Sequence, residues 1–193
     1  INYLSSPKVR LLFQFLIICI FLNFFEYRIN DIRIDFMDEL FANFYFKFFF
    51  TTICILILIN GSNFIDGLNG LLLGYTLIIL FILIKLNLFN DLEVNDSKIL
   101  FLFFSLLILL IFNFYNKFYL GDSGSYLIGF VTGFLLITIY NLSSVISPYF
   151  IILLVWYPCF ENLFSILIKF LINKNPMKPD NGHLHHYSCH RCS

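Results

Sequence analysis

Six apolar stretches constrain this chain most, at about residues 11–25, 44–60, 71–86, 98–114, 125–141 and 148–171, and short polar islands separate them. A helix that crosses a bilayer needs roughly 20 mostly apolar residues, with latitude for tilt and polar flanks. The first and third stretches are short and must borrow flanking residues. Composition agrees: 60% of the 193 residues are hydrophobic, 27 are Phe, and only 12% are charged, against roughly a quarter in a soluble domain. A soluble core of this length could not hide so much Phe, Ile and Leu. Backbone hydrogen bonds inside a bilayer must close within helices or a closed barrel, and no period-two pattern marks a barrel. The sequence therefore predicts an all-α, polytopic transmembrane helix bundle of about six spans, with residues 1–193 forming a single membrane domain. The last stretch contains Pro158, Glu161 and Asn162, which predicts a kink or break there.

Formal net charge is zero, so nothing points to a nucleic-acid partner. Cys19, Cys54 and Cys159 lie inside apolar runs and read as small hydrophobes rather than as a disulfide framework. The chain opens on Ile1 without a signal-peptide pattern, and the expectation is a fragment truncated at both ends. With six spans, the segments 61–70, 115–124 and 172–193 share one side of the membrane with the start of the chain. Segments 26–43, 87–97 and 142–147 share the other. The second side holds two acidic sets, Glu26, Asp31, Asp35, Asp38 and Glu39, then Asp91, Glu93 and Asp96, which read as solvated loop charge. Seven of the 12 Lys and Arg lie on or near the first side and five on or near the second. That bias favours the first side as cytoplasmic.

The first side carries three polar islands. Asn60-Gly61-Ser62-Asn63-Phe64-Ile65-Asp66-Gly67-Leu68-Asn69-Gly70 reads either as a helix end with two turn signals or as backbone bent close to a ligand. In the second reading Asn63 and Asp66 offer hard oxygen donors that suit Mg²⁺. Lys117-Phe118-Tyr119-Leu120-Gly121-Asp122-Ser123-Gly124-Ser125 reads as a turn followed by a helix capped by Ser123 or Ser125. A second reading, which the island taken alone favours less, is a phosphate cradle of helix-start N–H groups with Asp122 holding a metal beside it. Pro176 to His186 places His183, His185 and His186 within four positions. No upstream Cys/His pair at zinc spacing accompanies them, and a His-rich loop can also donate hydrogen bonds to phosphate or uracil.

Together, on one face and in this order, the islands resemble those of the polyprenyl-phosphate N-acetylhexosamine-1-phosphate transferases. Asn63-Phe64-Ile65-Asp66-Gly67-Leu68-Asn69-Gly70-Leu71 resembles the family's N-x-x-D-G-x-[DN]-G-L loop, and Leu120-Gly121-Asp122-Ser123-Gly124-Ser125 its G-D-x-G-[SA] loop. Pro179-Asp180 through His183-Leu184-His185-His186 resembles its P-D-x-x-H-[LI]-H-H loop; Lys8-x-Arg10-x-x-x-Gln14 and Pro158-x-x-Glu161 are smaller matches. Asn69 and the last loop's form resemble the O-antigen-type branch. The family carries an adjacent Asp pair shortly upstream of the Lys-x-Arg segment, and none stands before Lys8 in this sequence.

The resemblance implies transfer of a sugar-1-phosphate from a UDP-N-acetylhexosamine-type sugar nucleotide to polyprenyl (undecaprenyl) phosphate, with release of UMP, to initiate cell-envelope polysaccharide synthesis. It implies a Mg²⁺-dependent enzyme of the inner membrane with cytoplasmic active-site loops, and it allows a homodimer. The implied roles are Asn63 and Asp122 for the metal, Asp66 as catalytic carboxylate, and Arg10, Lys117, Asp180, His183, His185 and His186 for substrate. The alternatives are a transporter fragment with Glu161 as coupling residue, or an inactive remnant of the transferase.

Overall fold

The apolar runs fold as helices, and their packing is organised around one of them. The computed structural model describes residues 7–25, 27–86, 88, 96–143 and 146–171. The elements are α1 (Pro7–Phe25), α2 (Asp35–Phe41), α3 (Phe44–Ile65), α4 (Leu71–Lys85), α5 (Asp96–Phe114), α6 (Gly121–Leu142) and α7 (Pro148–Leu171). The architecture is an all-α polytopic membrane bundle. Helices α1, α3, α6 and α7 contain four segments long and apolar enough to cross a membrane, and α4 and α5 contain two shorter apolar ones. The six apolar runs of the sequence coincide with these six helices. The short α2, which no apolar run marks, is an addition.

Helix α3 is the hub, packing against α1, α6 and α7. In lipid the hydrophobic effect gives helices no reason to associate, so close backbone approach and interhelical hydrogen bonds must hold them. Both are present. A Cβ added at Gly129 of α6 would lie 2.9 Å from Ile59 Cα and 2.7 Å from Ser62 Oγ on α3. At Gly61 of α3 it would lie 2.0 Å from the Pro158 carbonyl oxygen of α7. Asn162 of α7 donates to the Ile57 carbonyl of α3 at 3.0 Å.

Pro158 sits inside a continuous α7 rather than ending it. A proline lacks the N–H that would bond the carbonyl four residues back, here that of Leu154. The Tyr75 hydroxyl of α4 donates to that Leu154 oxygen at 2.7 Å, so the defect is repaired from a neighbouring helix.

At the end of the bundle where α1 and α6 finish, the segment after α1 is knitted to its surroundings. Asn141 donates to the Arg28 carbonyl at 2.8 Å and Arg33 to the Ile146 carbonyl at 2.8 Å. The Arg28 guanidinium stacks 4.4 Å from the Phe44 ring centroid. Asp31 accepts from the Tyr140 hydroxyl, and Asp38 from the Ile32 N–H at 2.8 Å. Solvated loop charge therefore describes this acidic set incompletely: two of its members hold the loop in place.

Candidate functional site

At the opposite end, the start of α1, the end of α3 and the start of α6 meet. Asparagine and Asp-Gly signals end α3: Asp66 is its C-cap, and a turn runs from there to Gly70, the N-cap of α4 at φ +82°. That left-handed conformation suits glycine. An added Cβ there would also lie 2.6 Å from Phe114 Cε1 at the end of α5, so that exposed ring would have to move aside. The side chain of Asn69 donates to that of Asn116, a residue at φ +56° in the turn after α5. Asn113 steadies the same turn by donating to the Phe118 carbonyl at 2.8 Å. The loop carrying Asp66 is thus held against the segment leading into Asp122.

Close packing of α3 on Gly129 of α6 brings Asn63 beside the first turn of α6. The Asn63 amide nitrogen donates to Ser125 Oγ at 2.8 Å and reaches Asp122 Oδ1 at 3.4 Å. Ser125 is fully buried and donates to the Asp122 carbonyl at 3.0 Å. It is a clamp between α3 and α6 rather than the helix cap that its position suggests; the residue before α6, Leu120, makes no side-chain cap. From α1, Arg10 Nη1 donates to Asp122 Oδ2 at 2.6 Å. One turn further along α1, Gln14 accepts from the Asn60 amide at 3.1 Å, which ties α1 to α3 just below the site.

Asp66 is half-buried beside this cluster. Burial first, and the charge on Asp122 second, push its carboxyl up to about 6. Desolvation and a like charge both disfavour the ionised form, so a cation between the two carboxylates would relieve both penalties. Among the described residues no three His, Cys, Asp or Glu side chains form a group able to hold a metal ion by themselves. Mg²⁺ does not require such a cage: it is usually bound by one or two carboxylates, with substrate phosphates and water completing its shell. Asp122 and the Asn63 side chain carry hard oxygen donors of the right kind for that mode. The Asn63 amide presents its nitrogen to Asp122 Oδ1 at 3.4 Å, so its oxygen would serve the metal once the amide turns over.

Of the residues expected from sequence, Arg10, Asn63, Asp66 and Asp122 are brought together. Lys117 stands exposed on the turn next to Asn116. Asp180, His183, His185 and His186 lie outside the described residues. Asn60 and Asn116 are structural supports to which the sequence assigned no role, and Ser125, expected as a possible helix cap, is a third. The motif flanks carried a partial signal, since Gln14 and Pro158 belonged to the smaller matches and both now have contacts.

The chain matches the model of glycosyl transferase family 4 over residues 3–140. It is 31% identical over 194 residues to a probable undecaprenyl-phosphate N-acetylglucosaminyl 1-phosphate transferase of Bacillus subtilis (strain 168), covering 96% of this chain and 52% of that protein. It is 29% identical over 130 residues to an undecaprenyl-phosphate alpha-N-acetylglucosaminyl 1-phosphate transferase of Thermotoga maritima, covering 67% and 38%. A decaprenyl-phosphate N-acetylglucosaminephosphotransferase of Mycolicibacterium smegmatis is 29% identical over 153 residues, covering 67% and 37%. The chain spans about half the length, or less, of these curated relatives. No solved structure matches it.

Proposed function

The chain belongs to glycosyl transferase family 4, among the polyprenyl-phosphate sugar-1-phosphate transferases, and from that premise we propose that it forms part of an enzyme moving a sugar-1-phosphate from a UDP-N-acetylhexosamine to undecaprenyl phosphate. An oxygen of the lipid phosphate attacks the phosphorus next to the sugar. The bond from that phosphorus to the bridging oxygen breaks, and UMP leaves with the electron pair. The observation that carries this reading is the convergence of Arg10, Asn63, Asp66 and Asp122 at one end of the bundle.

Two phosphates must approach each other, so the protein's task is to neutralise charge and hold a line of attack. Asn63 and Asp122 would hold Mg²⁺, which when bound stabilises charge on the pyrophosphate oxygens and the departing UMP. Asp66 is the catalytic carboxylate, placed to orient or deprotonate the attacking phosphate once it is ionised. Arg10 and Lys117 supply positive charge to the phosphates. Asp180, His183, His185 and His186 contact the nucleotide-sugar.

We place the site on the cytoplasmic face of the inner membrane, with all six apolar helices crossing it. The excess of Lys and Arg near that end supports the orientation. Asn69, which engages Asn116, supports assignment to the O-antigen-type branch, and a homodimer is the assembly we propose. In the complete protein, Asp122→Ala should abolish Mg²⁺-dependent UMP release, and unchanged turnover would refute the metal assignment.

A further inference from the structure

Both Asp122 carboxylate oxygens are engaged within the chain, and the two contacts differ in kind. Oδ1 meets the Asn63 amide at 3.4 Å, and that amide is anchored to the buried Ser125 hydroxyl at 2.8 Å. Oδ2 meets Arg10 at 2.6 Å, in a pair whose side chains are 41% and 59% exposed. The Arg10 contact is short and charge-assisted, yet solvent screens it, and partly exposed ion pairs of this sort are weak. Arg10 lies in the first turn of α1 and also adjoins Tyr126 of α6. Its long side chain can therefore leave Asp122 without any helix moving.

A guanidinium and a divalent cation on one carboxylate repel each other, so they compete for Asp122. We propose that Arg10 is an internal counter-cation for Asp122, displaced when a divalent cation binds and thereby released toward the phosphates of the substrate. The proposal rests on the reading of Asn63 and Asp122 as the cation site. It couples loading of the cation to presentation of the arginine. By reciprocity, a phosphate that captures Arg10 must also tighten the cation.

Mn²⁺ binding to the complete protein in detergent, read by electron paramagnetic resonance without nucleotide or lipid, tests the competition directly. Arg10→Gln removes the charge and keeps a polar side chain of moderate length. It should bind Mn²⁺ about 2- to 5-fold more tightly than wild type, the range open to a partly exposed ion pair. Arg10→Lys, which keeps the charge, should stay within about twofold of wild type. Equal or weaker binding by Arg10→Gln overturns the competition. Arg10→Met repeats the measurement, with the same expectation and the same overturning result, should Arg10→Gln fail to fold. Asp122→Asn separates the two levels: lost Mn²⁺ binding upholds the cation site whatever Arg10 does. Undiminished binding in that variant overturns the site and the competition together.

Discussion

At the scale of single residues, Asp66 links environment to reactivity. Its carboxyl is raised from 3.8 to about 6 by burial and by Asp122, so the folded protein holds this proton more tightly than the unfolded chain does. The sign follows from linkage. The stabilising contribution of the protonated form is fully present below pH 3.8 and is lost as pH rises through about 6. Activity runs the other way if the carboxylate is the working form. In the complete enzyme kcat/KM should fall on the acid side with a midpoint near pH 6, because kcat/KM reports groups of the free enzyme. Asp66→Asn should lose most of the activity and also flatten the pH dependence of the melting temperature between pH 4 and 6. An unchanged melting profile would show that Asp66 is not the group titrating there. The carboxylates and Asn63 were legible in the sequence because they stand in short motifs with turn signals. Ser125 was visible only as a cap candidate. The pairing of Asn60 with Gln14 was not legible at all, since a contact across 46 positions depends on how helices pack, and no local pattern encodes that.

Elements are held together by close approach more than by apolar burial, and glycines can test this. Gly61→Ala would set a methyl group 2.0 Å from a backbone oxygen of α7, and backbone cannot rotate aside. The expected cost is at least the ~1–3 kcal/mol typical of overpacking, measured by thermal unfolding in detergent. Gly74→Ala is the matched control: nothing lies within 4 Å of its added Cβ. It should be neutral or stabilising by up to ~1 kcal/mol through helix propensity. Equal destabilisation of both variants would refute the packing argument. Pro158 was legible as a kink or break in the last apolar run; α7 continues through it, and the repair of the missing hydrogen bond comes from another helix. Tyr75→Phe removes the donor to the Leu154 carbonyl and should cost about 1–3 kcal/mol by leaving that acceptor unpaired. Adding Pro158→Ala restores a backbone N–H four residues along, and so should recover most of the loss. If the two substitutions simply add, Tyr75 is not the repair.

For the molecule as a whole, the alternation of apolar runs and polar islands predicts that the start of the chain, segment 61–70 and segment 115–124 share a face. The contacts agree, since α1, α3 and α6 meet at one end through Arg10, Asn63 and Asp122, and again at the other through Thr51, Asn141 and the segment from Arg28 to Arg33. Sequence could not show that α3 is the hub, because helix order in a bundle is set by tertiary contacts such as Gly129 against Ile59. Nor does parity alone decide whether α4 and α5 cross the membrane. Helix α4 has 15 residues, about 22 Å at 1.5 Å per residue, against a hydrocarbon core of about 30 Å. A pair of short helices that turned back within the membrane would leave every other loop on the same side as before. Lys85, exposed in the last turn of α4, separates the two arrangements. Single cysteines at Glu39, Lys85 and Lys117, placed in a background whose native cysteines are replaced, can be probed with a membrane-impermeant thiol reagent. Six crossings with a cytoplasmic site require labelling at positions 39 and 85 in intact cells, and at 117 only after permeabilisation. Labelling at 39 but not at 85 would reduce the crossings to the four long helices. Labelling at 117 in intact cells would invert the orientation and move the proposed chemistry to the opposite face.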